Sequence, residues 1–338
     1  MQRRSKTRAG SERSAMKSMG VKRISRKWLL IVPVALVVSF ATFVAFRFVG
    51  QDLTLAPRLD FEFPEFQSAE KLMGLSESPY AVAVNGQIVA SSSDEVRPTA
   101  STAKMILALA VMQEKGFSAT SVGETLTLGE ADVERYQWYV ANNGSNVPVE
   151  AGEEISEYDA LAAVMLASAN NMADSLASWA FGSQDKYREF ATKMLAEHGI
   201  EHTTIGVDAS GYDSSTTSTT SDLARIGWLV MSDPALSKIV ATKSREIPVV
   251  GEIANTNHLL GVSDIAGVKT GYIGEESGYC LVSGYRVGDD IVTVALLGAT
   301  SREESFEQSL SIVNAAHELL AGQKFVANGD AVGYYDTW

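Results

Sequence analysis

Residues 101–112 read Ser-Thr-Ala-Lys-Met-Ile-Leu-Ala-Leu-Ala-Val-Met. From Met105 to Met112 nothing polar interrupts the run. A helix here is apolar nearly all round, so it has to be covered on every side inside a domain. That requirement constrains the fold more than any other stretch of the chain. Ser101 stands at the N-terminus of this helix, and Lys104 lies one turn on along the same face, as i and i+3 positions do. Packing alone gives no reason for a hydroxyl and an amine at the buried end of a central helix. Lys115-Gly116 closes the run, with glycine in the left-handed position after a helix end.

The elements around it read as an α+β domain. Tyr80–Val84 and Gln87–Ser91 alternate as strands about Asn85-Gly86, a strong hairpin signal. Leu126 to Asn146 reads as an irregular polar loop carrying Tyr136, Trp138 and Tyr139, which either walls a cleft or packs on a surface. Ser156 to Trp179 has helical spacing, broken at Ser168-Ala169-Asn170-Asn171. Asp185 to His198 is a further helix, and another starts with Thr220 or Ser221 as its cap. After Pro248 the texture becomes strand-like: Gly267–Gly271, Tyr279–Tyr285 and Ile291–Ala299, then an amphipathic helix from Glu303 to Ala321. Strands at both ends with helices between predict an antiparallel sheet covered by helices, with a helical insertion between the second and third strands. The single cysteine, Cys280, sits in an apolar strand and reads as a core thiol.

The chain begins differently. Residues 1–27 hold ten Lys/Arg and one acid, leaving about −22 on the remainder of a chain whose net charge is −13. Positive charge confined to one terminus is not a nucleic-acid-binding pattern, and no nucleic-acid partner is expected. Trp28 to Phe46 is uncharged and closed by Arg47, long enough at about 30 Å to span a bilayer. The preceding basic residues predict a cytoplasmic N-terminus and an exported body. The expected organisation is a basic segment 1–27, a membrane anchor 28–47, a stalk 48–77, a catalytic domain 78–322 and a tail 323–338. A cleaved signal peptide is the rival reading of the apolar run. Its best small-x-small site, Ser39-Phe40-Ala41, falls inside that run.

Ser-x-x-Lys alone is weak, since Ser14…Lys17, Ser68…Lys71 and Ser183…Lys186 also satisfy it. Two later signals strengthen the copy at Ser101. Ser168-Ala169-Asn170 places polar groups where apolar periodicity would otherwise continue. Lys269-Thr270-Gly271 puts a lysine into an apolar strand, as on a sheet edge bordering a cleft. The three in this order form the signature of penicillin-binding proteins and class A β-lactamases. Beyond them, Pro98–Lys104, Ala167–Asn171, Asp208–Tyr212, Thr219–Ala224, Asn255–Gly261 and Gly267–Tyr272 resemble the blocks of the serine D-alanyl-D-alanine carboxypeptidases, over roughly residues 78–320.

The resemblance implies a penicillin-binding protein/β-lactamase-like fold. It also implies peptidoglycan stem peptides as substrates, β-lactams as inhibitors, and neither cofactor nor metal. Ser101 would attack the carbonyl between two D-alanines with Lys104 as base, a neutral amine within hydrogen-bond reach. Ser168 would pass the proton to the leaving amine, and Asn170 would orient Lys104 and the substrate amide. Lys269 and Thr270 would hold the terminal carboxylate, with Gly271 completing their motif. The backbone N–H groups of Ser101 and Tyr272 would bind the oxyanion.

One departure concerns the arginine that relatives carry shortly after the last strand. Arg302 is the candidate for this substrate-carboxylate role, but it falls a few positions early, with Glu304 or Ser305 in the expected place. A class A β-lactamase would need a Glu-x-x-Leu-Asn motif between Asn170 and Lys269, which does not occur. A non-catalytic cell-wall sensor that keeps the pocket is the other alternative. His198 and His202 have metal-ligand spacing, but Gly199 ends the helix between them, so no metal hydrolase is expected.

Overall fold

A computed structural model describes residues 71–248 and 250–320. The basic segment 1–27, the apolar span 28–47, the stalk up to residue 70 and the tail lie outside the described residues. Among those described, no helix is long and apolar enough to cross a membrane.

The domain is built on a five-stranded antiparallel sheet. In chain order its strands are β1 (Tyr80–Val84), β2 (Gln87–Ser91), β9 (Gly267–Gly271), β10 (Tyr279–Val287) and β11 (Asp290–Ala299). In space they run β2-β1-β11-β10-β9. Both chain ends of the domain therefore meet at the centre of the sheet, where β1 pairs with β11 from Tyr80 opposite Leu296 to Val84 opposite Val292. The Asn85-Gly86 turn has both residues at positive φ, as a tight hairpin needs. Asn85 also ties this turn to the β10–β11 turn, donating to Asp290 Oδ1 (2.6 Å) and accepting from Ile291 N (2.9 Å).

The two faces of β1 show how the sheet is covered. Tyr80, Val82 and Val84 point into a core shared with the closing helix α8 (Arg302–Leu320) through Ile312, Val313 and Ala316. Ala81 and Ala83 face the helical side. Small residues there let α6 (Thr220–Ser232) come close, and Gly227 lies so near the sheet that a Cβ would sit 2.6 Å from Val282. Residues 71–77, read from sequence as the end of the stalk, pack on the α8 side. Leu72 is buried there, its carbonyl accepts from the Tyr80 hydroxyl, and the Ser76 hydroxyl bonds Gln308 (2.7 Å).

Between β2 and β9 come the short strand β3 (Arg97–Pro98), a 3₁₀ turn (Ala100–Ala103), α1 (Lys104–Glu114), β4 (Thr125–Thr127), α2 (Glu130–Ala141) and β5 (Glu154–Ser156). They are followed by α3 (Glu157–Met165), α4 (Asn170–Phe181), α5 (Gln184–Glu197), β6 (Thr217–Ser218), α6, α7 (Pro234–Val240), β7 (Ser244–Ile247) and β8 (Gly251–Ala254). The short strands form two-stranded ribbons outside the main sheet, β3 with β6, β4 with β5 and β7 with β8. The insertion thus falls between the second and third strands of the sheet, as the sequence predicts. α1 is buried over most of its surface, with Met105, Ile106, Leu107, Ala108, Ala110 and Val111 fully covered and Leu109 and Met112 partly so.

Two local expectations need correction. Leu126–Asn146 is not irregular: β4 and α2 occupy most of it. Only Tyr139 of α2 is buried, so the helix carries no apolar stripe to reveal it. The cap of α6 is Thr219, whose hydroxyl accepts from Asp222 N (3.1 Å), and not Thr220 or Ser221.

Candidate active site

The 3₁₀ turn carries Ser101 into the space between β9 and the helical side. It is held at Thr99, whose N–H donates to Thr216 O (3.0 Å), and by the Thr102 hydroxyl on Thr99 O (2.7 Å). Ala100, immediately before Ser101, sits at φ 47°, a left-handed conformation that costs an alanine roughly 1–2 kcal/mol. Glycine would remove that cost. Alanine keeps the backbone ahead of the nucleophile confined.

Lys104 is the centre of the site. Its side chain is fully buried, and Nζ lies 2.7 Å from each of three oxygens: Ser101 Oγ, Asn170 Oδ1 and Ser210 O. Two of these, an amide and a peptide carbonyl, can only accept. A neutral amine has two hydrogens to give and one lone pair. In the charged form the third hydrogen is donated to Ser101 Oγ; in the neutral form, with both carbonyls served, the lone pair is left to accept from the Ser101 hydroxyl. Burial, and next the charge of Lys269, hold Lys104 well below the ordinary lysine range; Asp208 and Asp174 pull the other way.

Asn170 opens α4 and is fixed by its own N–H on Ser145 O (2.8 Å). The next residue, Asn171, clamps the same loop from both sides of Val147 (2.9 and 3.1 Å). Gly144 in that loop lies against the Asn170 side chain, where a Cβ would come within 2.9 Å of Nδ2. Ser168, in the break between α3 and α4, has a left-handed backbone at φ 60°. Its hydroxyl makes no hydrogen bond among the described residues.

β9 is the edge strand facing this turn. Lys269 and Gly271 share one of its faces by the two-residue period. A Cβ on Gly271 would lie 3.0 Å from Ser101 N and 3.1 Å from Thr102 N. Glycine is what lets the strand approach the helix start. Lys269 is buried and, among the described residues, bonds only to Thr270 O (3.2 Å); burial lowers it to about 7. The Thr270 hydroxyl meets that of Thr256 at 2.7 Å. Tyr272, just beyond, is half exposed and stacks on Tyr279 at 4.1 Å between ring centroids.

Of the sequence-predicted residues, the structure brings together Ser101, Lys104, Asn170, Lys269 and Gly271; Ser168, Thr270 and Tyr272 adjoin these in sequence, and Arg302 stands apart. Arg302 occupies the exposed first turn of α8, and among the described residues no hydrogen bond or ion pair joins it to the others. Cys280, opposite Gly271 on β10, is buried and raised to about 12, which leaves it inert as a thiol. Sequence reasoning missed Thr256, Ser210, Tyr139 and Asp174. Ser210 and Thr256 lie inside blocks quoted above, but no spacing rule assigns them a contact. Among the described residues no cluster of metal-ligating side chains occurs.

Comparison with known proteins bears on the family and the fold. The sequence model of the D-alanyl-D-alanine carboxypeptidase family matches residues 80–301. The chain is 25% identical over 182 residues to D-alanyl-D-alanine carboxypeptidase DacF of Bacillus subtilis (strain 168), covering 51% of this chain and 46% of that protein. It is 27% identical over 237 residues to DacC of Escherichia coli (strain K12), covering 67% and 56%. The chain thus spans about half the length of these curated relatives. Among solved structures, D-alanyl-D-alanine carboxypeptidase from Mycobacterium tuberculosis H37Rv superposes with a TM-score of 0.62 at 25% identity, over 71% of this chain and 90% of that one. The DD-transpeptidase of Streptomyces K15 shares the fold, with a TM-score of 0.63 at 24% identity over 71% and 96%. With a family match across most of the described domain, on a fold shared with these structures, the chain belongs to the D-alanyl-D-alanine carboxypeptidase family.

Proposed function

We propose that the chain is a serine D-alanyl-D-alanine carboxypeptidase that works through an acyl-enzyme on Ser101. The observation that carries this is the three-way bonding of Lys104, which directs the one lone pair of a neutral amine at the Ser101 hydroxyl. Ser101 Oγ adds to the carbonyl carbon of the penultimate D-alanine while its proton passes to Lys104 Nζ. The oxyanion lies between the N–H groups of Ser101 and Tyr272, in the field of the helix start. The C–N bond then breaks, and the departing amine takes a proton through Ser168. Water cleaves the ester, releasing the shortened stem peptide and restoring the serine. Lys269 and Thr270 receive the substrate carboxylate. A carboxylate beside Lys269 favours the ammonium form, so binding charges the residue that burial had lowered.

The rest of the reading concerns place. The basic segment and the apolar run 28–47 act as an uncleaved anchor, N-terminus inside and peptidase domain outside, facing the wall. Extraction of the full chain from membranes only by detergent, with residues 1–27 retained, is the expected result. Release in soluble form with a start near Thr42 sinks it.

The chemistry is tested by incubating the full chain with penicillin, and separately with a D-alanyl-D-alanine pentapeptide. The expected outcome is one covalent adduct, on Ser101, and release of free D-alanine. An adduct on another residue overturns the assignment. An adduct without D-alanine release favours the sensor reading, and rapid β-lactam turnover favours a lactamase.

A further inference from the structure

Of the three oxygens on Lys104 Nζ, that of Ser210 belongs to a turn with two carboxylates behind it. Asp208 is spent on the turn itself. Its Oδ1 accepts from Ser210 N (2.8 Å), Ser210 Oγ (2.6 Å) and Tyr212 N (3.2 Å), and its Oδ2 accepts from Asp213 N (2.9 Å). Asp174 is placed differently. It lies one helical turn beyond Asn170 on α4, so both face the Lys104 side. Its Oδ2 accepts from the Tyr139 hydroxyl of α2 (2.7 Å), and its Oδ1 accepts from Ala209 N (3.2 Å) and Gln184 Nε2 of α5 (3.2 Å). The Tyr139 oxygen also lies 3.3 Å from Ser210 Oγ. Two helices and the turn that supplies a ligand to Lys104 therefore converge on one carboxylate.

We propose that Asp174 is a positioning residue which, with Tyr139 and the 208–210 turn, holds Lys104 nearer its protonated state than burial beside Lys269 would leave it. Its catalytic consequence rests on the acyl-enzyme reading above, because a base works best when poised near the operating pH. The groups facing Asp174 are Tyr139 from α2, Tyr187 and Gln184 from α5, Asp208 from the turn and Lys104 from α1. Asp132 and Arg135 of α2 bond Ser175 and Ser178 on α4 and not Asp174. The charges that act on Lys104 are that of Lys269, which lowers it, and those of Asp208 and Asp174, which raise it. The carboxyl of Asp174 is itself raised to about 6, chiefly by burial, so it is ionised at neutral pH and its influence fades on acidification.

The test is a ¹³C NMR titration of the lysine side chains in the unacylated full chain, with Lys104 assigned by its loss in Lys104→Arg. Asp174→Asn, close in shape, should lower the titration midpoint of Lys104 by about half a pH unit or more, a roughly threefold change in its neutral-to-charged ratio. Tyr139→Phe, which keeps the ring but frees Asp174 to protonate, should move it the same way by less. An unchanged midpoint in the folded variants overturns the proposal; if Asp174→Asn does not fold, Tyr139→Phe decides. Acylation by penicillin across pH gives the second readout. The acid limb should move to lower pH with its plateau kept, whereas an even loss at every pH marks a merely structural role and overturns it. A shifted lysine with no acylation sinks the peptidase reading alone. Acylation with an unmoved lysine sinks only this inference.

Discussion

Lys104 makes three bonds that no other side chain can reproduce. Arginine would supply donors to Asn170 and Ser210 but stays protonated, with no lone pair for Ser101. Lys104→Arg is therefore expected to fold and still bind β-lactam weakly, with acylation slower by about 10²–10⁴-fold, measured by fluorescent-penicillin labelling. Lys104→Met is expected to do worse, because it leaves two buried carbonyl oxygens unpaired at about 1–3 kcal/mol each. Gly271→Ala tests the approach of β9. Its Cβ would meet Ser101 N at 3.0 Å, so the strand or the turn must shift by a few tenths of an ångström. Acylation should fall by about 10²-fold while the melting temperature moves little, since misplacement costs rate before it costs stability. At this scale the sequence was legible where chemistry demands fixed spacing. Ser101 and Lys104 are one helical turn apart, and Lys269 and Gly271 are two apart on a strand. It was silent on Asp174, Tyr139 and Ser210, which meet from three distant stretches through a backbone carbonyl that no side-chain pattern encodes.

Elements reveal themselves in sequence when they bury a periodic face. α1 is read from its apolar run because it is covered over most of its surface, and the Asn85-Gly86 hairpin from its turn chemistry. α2 escaped because it buries one residue and starts at Gly129, which has no capping side chain. Asp132 reaches back to the Gly129 N–H instead, at 2.8 Å. α6 shows how small residues set the distance between layers. Gly227 rests against Val282 opposite the alanines of β1, so Gly227→Val should overpack the seam between helix and sheet. A loss of about 1–3 kcal/mol is expected, read as a lower denaturant midpoint with an unchanged slope. Val282 is the cross-strand neighbour of Lys269, so β-lactam labelling reads whether the strain stays within the seam; labelling in proportion to the folded protein is expected if it does. A labelling loss greater than the loss of folded protein would show that α6 also positions the site.

At the scale of the whole molecule, Lys104 and Lys269 are buried in one cleft among the described residues, and their effect on folding has a definite sign. Lys269 falls to about 7 in the folded protein, lowered by burial, and Lys104 lies well below its ordinary range for the same reason first. In the unfolded chain both titrate near 10.4. Between about pH 7 and pH 10 the unfolded state therefore binds protons that the native state lacks, and stability rises with pH across that window. The slope has an upper limit of about 1.4 kcal/mol per pH unit for each lysine fully neutral in the fold. Below pH 7 Lys269 is charged in both states and its part of the slope vanishes. Chemical denaturation of the full chain at pH 7, 8 and 9 should give a rising unfolding free energy, opposite to what an acidic chain held together by surface ion pairs would show. Lys269→Met removes one buried charge and should flatten the rise while increasing stability at pH 7. A flat profile in the unsubstituted protein would mean that water reaches these lysines in solution. The account of Lys104 as a neutral base would then fail with it.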